Sequence, residues 1–448
     1  MSIRKFLQQK ESDSTPIKVC VIGCGRFGGM IIYQIQHIPG MEVSVICDLN
    51  VKKAISIASQ AGISESNLKV NNSVDKINTS ISKNEVSIVD DAKLAVSSEV
   101  DVVVEATGNP LSGANNAIDA IRNGKHVTMV TVETDVLIGP ELNKLASEND
   151  VVYSLAYGDQ PALIEEMYDW AKSLGFDVIA AGKGTKYLDS YRFETPDNAY
   201  QRYGYTQEGF EKADLNPKMY NSFLDGTKSA IEMCAVSNMT GLIPDVPGMH
   251  FPPATITDLP NLLIPEYDGG LLKHDGGVVE VISCLNPDGS EIKNSLRWGV
   301  FVVISIDNLY ILECMDDYGV IMNPSKKYAA IYRPYHFVGM ETPITISKSV
   351  LFHEATGFSE TRVADVAAVA KKNLSHGSVL DGEGGYTTYG SLYKAEDFDK
   401  NRLVPIGLVD KIKLTRDVNK NMPITLDDIE LPEPNILFNL RKNNFKFI

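Results

Sequence analysis

Val19-Cys20-Val21-Ile22-Gly23-Cys24-Gly25-Arg26-Phe27-Gly28-Gly29 is the stretch on which the fold turns. The residues leading into it, from Ile17 to Ile22, are mostly β-branched or apolar and read as a buried strand. The run breaks at Gly23, and a helical pattern follows from about Phe27 to Ile38, with Met30, Ile31, Ile35 and Ile38 on one face. Strand, glycine turn and helix in that order are what a dinucleotide fingerprint needs. Gly23 allows the tight turn, Gly25 lets backbone approach a pyrophosphate, and Gly28 lets the helix pack closely on its strand. The helix N-terminus then offers free N–H groups and the positive end of its dipole to phosphate.

Working outward, the apolar run Val43 to Cys47 ends at Asp48, where an acid accepts the adenosine ribose hydroxyls. Val102-Val103-Val104-Glu105-Ala106 reads as another strand and opens into Thr107-Gly108-Asn109, a loop that should line the cofactor crevice. Further strands are expected at Val86–Val89, His126–Val132 and Val151–Leu155, giving a doubly wound domain over residues 16–156. The segment from Lys52 to Lys93 is polar; apart from Val86–Val89 it is expected to hold one helix and a loop. Arg26 and Phe27 at the helix start join Gly23, Gly25, Gly28, Asp48, Thr107 and Gly108 as expected cofactor contacts. Glu133 and Asp135, after the fifth strand, are expected to face the nicotinamide side, against a competing reading as a solvated helix cap.

The chain has 448 residues, long for one core. Its 42 basic and 58 acidic side chains give a net charge of −16, which disfavours nucleic acid and anionic membrane as partners. Six cysteines form no paired framework, so a reducing cytoplasm is the expected compartment. No apolar run approaches the roughly 20 residues of a membrane span. Residues 1–15 look like a polar leader.

The second half carries the candidate chemistry. Strand Asp177–Ala181 is expected to give way to a basic loop, Gly182-Lys183-Gly184-Thr185-Lys186, suited to a substrate phosphate or carboxylate. Asp159, in Gly158-Asp159-Gln160-Pro161, is a further substrate candidate. Residues 189–222 are aromatic-rich and read as irregular, a lid or a dimer contact. If Asp225, Lys228 and Glu232 share a helix, their i, i+3, i+7 spacing puts them on one face. Such a row can donate a proton to a carbonyl under reduction, or be a surface ion-pair ladder. Val278–Cys284, Val300–Ile306 and Leu309–Cys314 read as strands of a largely antiparallel sheet. Val363–Leu374 reads as an alanine-rich helix, followed by short strands between glycine turns. No pair of histidines has metal-ligand spacing; a divalent ion could use Asp225, Glu232 or Glu133, and no spacing supports one.

Gly23-x-Gly25-x-x-Gly28, Glu105-Ala106-Thr107-Gly108 and Gly124-Lys125-His126-Val127 resemble the cofactor domain of homoserine dehydrogenase-type oxidoreductases. Two features depart from that family. Asp225 and Lys228 are separated by two residues rather than three, and Val132-Glu133-Thr134-Asp135 stands where those enzymes carry a lysine. Gly158-Asp159-Gln160-Pro161, Gly182-Lys183-Gly184, Asp225-Gly226-Thr227-Lys228 and Arg333-Pro334-Tyr335-His336 look like the 1-deoxyxylulose 5-phosphate reductoisomerase-like proteins. The tail, with Leu374, Gly377, Leu380 and Arg416-Asp417-Val418, resembles the SAF domain appended to them.

The expectation is an α/β protein with a polar leader at 1–15 and a Rossmann dinucleotide-binding domain at 16–156. An α+β substrate and dimerisation domain at 157–360 and a small β-rich SAF-like domain at 361–448 complete it. The resemblance implies a homodimer that converts 1-deoxyxylulose 5-phosphate, a small anionic sugar-like substrate, to methylerythritol 4-phosphate in isoprenoid precursor synthesis, with NADP placed ahead of NAD. Lys228, with Asp225 and Glu232, would be catalytic, and Lys183, Lys186 and Asp159 would bind substrate. The alternatives are a dehydrogenase of another small sugar, sugar acid or homoserine-like alcohol, and a nucleotide sensor without turnover.

Overall fold

The computed structural model describes residues 2–213, 215–431 and 434–442. The chain divides into two units, residues 1–162 with 337–360 and residues 163–336 with 361–448. The last residues of the expected tail domain, 443–448, lie outside the described residues.

The first unit is built on a seven-stranded parallel sheet. Its strands are β1 (Ile17–Ile22), β2 (Met41–Cys47), β3 (Leu68–Val70), β4 (Val86–Val89), β5 (Val102–Glu105), β6 (His126–Met129) and β7 (Tyr153–Leu155). They run in the order β3-β4-β2-β1-β5-β6-β7. The strand order reverses between β1 and β5, so the loops after these two strands flank the crevice where open α/β sheets take ligands. Val19, Val21, Val102 and Val104 are fully buried because helices cover both faces of the sheet. The region from Lys52 to Lys93 holds three helices and strand β3 besides β4, more structure than its polar composition suggests.

The expected leader is an ordered helix, Ile3–Ser12. Ile3, Phe6 and Leu7 recur at helical spacing; Leu7 is buried and the Phe6 ring meets Phe352 edge-on at 5.2 Å. Glu11 accepts the Gly40 N–H at 2.7 Å, which ties the helix to the turn before β2.

The second unit contains β8 (Asp177–Thr185), β9 (Ile243–Pro244), β10 (Val278–Ser283), β11 (Val300–Ser305), β12 (Ile321–Met322) and β13 (Tyr328–Arg333). They form a mixed sheet in the order β12-β13-β11-β8-β10-β9. A two-stranded antiparallel ladder joins β14 (Ala364–Ala370) to β15 (Thr388–Lys394).

Several expectations change here. The basic loop is the end of strand β8. A Cβ at Gly182 would lie 1.7 Å from the Glu280 carbonyl oxygen and one at Gly184 1.8 Å from that of Leu296. These glycines admit neighbouring backbones and make no turn. Leu309–Asp317 is a helix, capped by Asn308, whose side chain accepts the Ile311 N–H. The alanine-rich run is strand β14, buried along its whole length, where small side chains suit close packing. Residues 189–222 hold a 3₁₀ turn and the helices Pro196–Arg202, Gln207–Lys212 and Pro217–Leu224.

Candidate active site

In the first unit the glycine loop has the geometry its spacing implies. Gly23 sits at φ +96°, and a Cβ there would lie 2.6 Å from the Ala106 carbonyl oxygen. At Gly28 a Cβ would be 1.9 Å from the Gly23 carbonyl oxygen, so the helix Arg26–Ile35 starts hard against the loop. Gly25, at the N-cap, has no neighbouring atom within 4 Å of the position a Cβ would take. Two glycines are thus required by packing, while Gly25 keeps space open at a helix N-terminus, which suits a pyrophosphate. Arg26 is exposed there, and Phe27 packs partly into the core.

The Asp48 carboxylate is fixed from both sides. One oxygen accepts the Cys24 N–H at 2.7 Å and the other the Asn50 N–H at 2.8 Å. It therefore locks the glycine loop to the end of β2 and keeps lone pairs for ribose hydroxyls. Across the crevice, Glu105 is fully buried, which raises its pKa despite hydrogen bonds from Thr107, Thr131 and Asn116. It accepts the Thr107 hydroxyl at 2.5 Å and the Thr107 N–H at 3.2 Å. Thr131 accepts the Gly108 N–H at 3.0 Å. Thr107 and Gly108 are exposed and braced from beneath, on the wall beside the glycine loop.

Glu133 is half-buried on the first turn of the helix Val132–Glu148. Asp135 departs from expectation: it points into the core, where the Tyr153 hydroxyl donates to it at 3.0 Å and the Ser359 hydroxyl at 2.6 Å. Burial pushes its pKa up to about 6, against those hydrogen bonds. Asp159 also belongs to this unit and accepts the Gln160 N–H at 2.8 Å.

In the second unit the expected helical row does not form. The helix Pro217–Leu224 ends at Asp225, Gly226 turns the chain at φ +86°, and a new helix runs from Thr227 to Thr240. Asp225 is therefore off the helix that carries Lys228 and Glu232. Its carboxylate lies 2.7 Å from the Lys371 ammonium, both side chains being buried. Lys371 also donates to the carbonyls of Glu194 at 2.8 Å and Gly385 at 2.7 Å. Asp225 and Tyr187, Phe251, Tyr389 and Ser391 line a cavity of about 10 Å³, room for one water.

Glu232 is buried and paired with Lys183, which projects from β8. The two ions are 7% and 4% exposed, so each compensates the other's charge in a low-dielectric setting. Lys228, one helical turn before Glu232, is half-buried. Lys186 stands beyond the end of β8 with Glu291 at 3.7 Å, and Arg297 reaches the same carboxylate oxygen at 3.3 Å. Sequence spacing could not reveal the ion pairs Lys183–Glu232 and Asp225–Lys371, because each joins distant segments. Among the described residues no group of three or more His, Cys, Asp or Glu side chains could hold a metal ion. Nor is any helix among them long and apolar enough to cross a membrane.

Residues 17–155 match the GFO/IDH/MocA family, described as an oxidoreductase family with an NAD-binding Rossmann fold. Residues 158–342 match the family described as oxidoreductase DRL, catalytic domain. No curated protein matches the chain. A solved structure of a probable dehydrogenase from Thermotoga maritima is 10% identical, with 76% of this chain and 90% of that one covered and a TM-score of 0.35. An oxidoreductase from Agrobacterium radiobacter, in complex with NAD+, L-tartaric acid and magnesium, is 15% identical over 40% of this chain. Its TM-score is 0.30, and this chain spans 46% of its length. A DOX-P reductoisomerase in complex with magnesium is 14% identical, with 49% of this chain and 57% of that one covered and a TM-score of 0.33. Similarity at this level says nothing of what this chain binds. The family matches rest on the segments that hold the glycine loop and the Lys183–Glu232 pair. The protein is an NAD(P)-dependent oxidoreductase whose residues 17–155 are similar to the NAD-binding Rossmann fold of the GFO/IDH/MocA family and whose residues 158–342 are similar to the DRL catalytic domain.

Proposed function

We propose that the protein reduces the carbonyl of a small anionic, sugar-like compound, with reductoisomerase chemistry on 1-deoxyxylulose 5-phosphate as the first substrate to test. The nicotinamide dinucleotide supplies the hydride. The chain's own residues bind it, through the open helix N-terminus at Gly25, the fixed Asp48 carboxylate and the braced Thr107-Gly108 wall.

The buried Lys183–Glu232 pair carries the proposal. Carbonyl reduction leaves an alkoxide that must gain a proton, and a positioned ammonium can both stabilise the developing charge and donate that proton. Glu232 orients Lys183 and balances its charge. Lys228, on the same helix, is the second cation available for the carbonyl oxygen. Asp225 takes no proton-transfer role in this reading, since Lys371 already engages it. Lys186 and Arg297 are the cations proposed for the substrate's phosphate or carboxylate. The same reading has the protein work as a cytoplasmic homodimer, without a nucleic acid or membrane partner, and treats the tail as SAF-like.

The test is oxidation of NADPH and NADH by the purified protein with 1-deoxyxylulose 5-phosphate, with and without Mg²⁺ or Mn²⁺. Formation of methylerythritol 4-phosphate is the expected result. Intact NAD(P)H binding without turnover would move the substrate to another small sugar or sugar acid and leave the oxidoreductase assignment standing.

A further inference from the structure

A row of five ionisable side chains in the second unit has no part in the chemistry above. Lys394, the last residue of β15, places its ammonium 2.9 Å from His274 Nε2. The other ring nitrogen of His274 lies 2.7 Å from Asp245. Asp245 lies 3.6 Å from His250 Nε2, and His250 Nδ1 is 2.7 Å from Glu280 on β10. Both carboxylates are fully buried at their side chains, and the rings are 24% and 35% exposed.

The hydrogen bonds fix opposite protonation demands on the two histidines. Lys394 has only protons to give, so His274 Nε2 must be a bare acceptor while Nδ1–H donates to Asp245. His274 is therefore neutral. His250 stands between two carboxylates with both ring nitrogens turned to oxygen, which calls for the doubly protonated ring. With Asp245 and Glu280 ionised, Lys394 and His250 charged and His274 neutral, the row sums to zero.

We propose that this row is a pH-sensitive clasp, in which protonation of His274 expels Lys394 and loosens the end of β15 from the segment holding Asp245 and His250. A protonated His274 would present an N–H to an ammonium at hydrogen-bonding distance. Its bond to Asp245 survives and strengthens, so the lysine is the group that leaves. The groups facing the row are Asp245 after β9, His250 in the following loop, Lys273 and His274 before β10, Glu280 on β10 and Lys394 on β15. The Glu280 hydrogen bond raises the His250 pKa against burial, with the charges of Glu280 and Asp245 adding to it. Desolvation works against Asp245, yet the Lys273 N–H, the His274 ring and the His274 N–H bring its pKa below the ordinary carboxylate value. The His250 contribution is thus complete below the ordinary histidine range and lost as pH rises through its raised value. The His274 contact is lost as pH falls.

The clasp adjoins the Asp225 cavity. Gly248 N–H donates to the Leu392 carbonyl at 2.7 Å, and Gly248 and Phe251 line that cavity together with Tyr389, Gly390 and Ser391 of β15. Loosening this contact changes the cavity wall.

Amide hydrogen exchange of the full chain, corrected for intrinsic rates, tests the proposal on peptides covering 245–250 and 388–394. Wild type should lose at least threefold protection there between pH 7 and pH 5.5. His274→Gln, which can accept from Lys394 and donate to Asp245 at any pH, should keep its protection. Lys394→Met should be loose at both pH values. Unchanged protection in wild type, or a His274→Gln chain that loosens as wild type does, overturns the proposal. Lys394→Met decides the matter if His274→Gln fails to fold: pH-dependent loosening without the lysine also overturns it.

Discussion

The Asp225 carboxylate and the Lys371 ammonium stand 2.7 Å apart with almost no exposure, joining the turn before the helix Thr227–Thr240 to the residue that follows β14. The oxygen that faces Lys371 has no well-aligned hydrogen bond, so the pair is held by charge. Removing either partner leaves a buried ion uncompensated, which costs about 3–5 kcal/mol. Lys371→Met should lower the unfolding free energy read from urea titration by that amount, and Asp225→Asn similarly. The double variant should recover part of the loss, since neither charge is then stranded. Additive losses in the double variant would refute the pairing.

Lys183 and Lys228 are separable by kinetics. Lys183→Met should lower kcat by a factor of about 100 or more, the scale of a lost general acid, with the NAD(P)H dissociation constant unchanged. Lys228→Met should cost less. Single-turnover rates and fluorescence titration read the two quantities apart. A larger loss of kcat at Lys228 would reverse the assignment.

The glycine loop predicts contrasting outcomes for one chemical change. Gly28→Ala meets the Gly23 carbonyl at 1.9 Å and should destabilise the first unit as well as abolish cofactor binding. Gly25→Ala meets nothing within 4 Å, so the protein should fold with an unchanged melting temperature. Its methyl group would stand where the pyrophosphate approaches and weaken NAD(P)H binding about tenfold, a cost near 1.4 kcal/mol. Normal cofactor affinity in Gly25→Ala would place the dinucleotide elsewhere.

Much of the first unit was legible because its determinants are local. Gly23, Gly25 and Gly28 lie within six residues of one another, and Asp48 directly follows the next strand, Met41–Cys47. The second unit was harder because its determinants are long-range. Gly182 and Gly184 look like loop glycines until β10 and the Leu296 turn are laid against them. The alanines of β14 satisfy helix propensity, and antiparallel pairing with β15 overrides it. The Asp225-x-x-Lys228 spacing suggested one helix face, but the left-handed Gly226 between them breaks the helix and frees Asp225 to meet Lys371. The helix Ile3–Ser12 was hard to read because it has few apolar residues, and it packs because Ile3, Phe6 and Leu7 share one side.

Asp48 should govern the choice of dinucleotide. Its carboxylate is held by the Cys24 and Asn50 N–H groups and cannot swing away from a 2′-phosphate. Asp48→Ser should therefore raise the affinity for NADPH relative to NADH by about tenfold, or about 1.4 kcal/mol. Lys52 and Lys53 follow in the first turn of the next helix, Val51–Gln60. Competitive titration of the two cofactors measures the ratio, and an unchanged ratio removes Asp48 from the selection.

Asp135 sets a pH dependence of the opposite sense to a carboxylate whose pKa is lowered by its partners. Its folded pKa of about 6 lies above its ordinary value of 3.8, because burial penalises the charge more than Tyr153 and Ser359 stabilise it. The folded state therefore binds the extra proton between those two values. The stabilisation is complete below pH 3.8, falls as pH rises through 6, and is absent above it. At 1.36 kcal/mol per pKa unit the swing is on the order of 3 kcal/mol. Asp135→Asn keeps a carbonyl oxygen to accept from Tyr153 and Ser359 and carries no charge. Its stability relative to wild type should therefore improve as pH is raised from 4 to about 6 and level off above that. Urea midpoints at unit pH intervals measure the difference, and parallel curves for the two proteins would mean that Asp135 titrates as a solvated carboxylate.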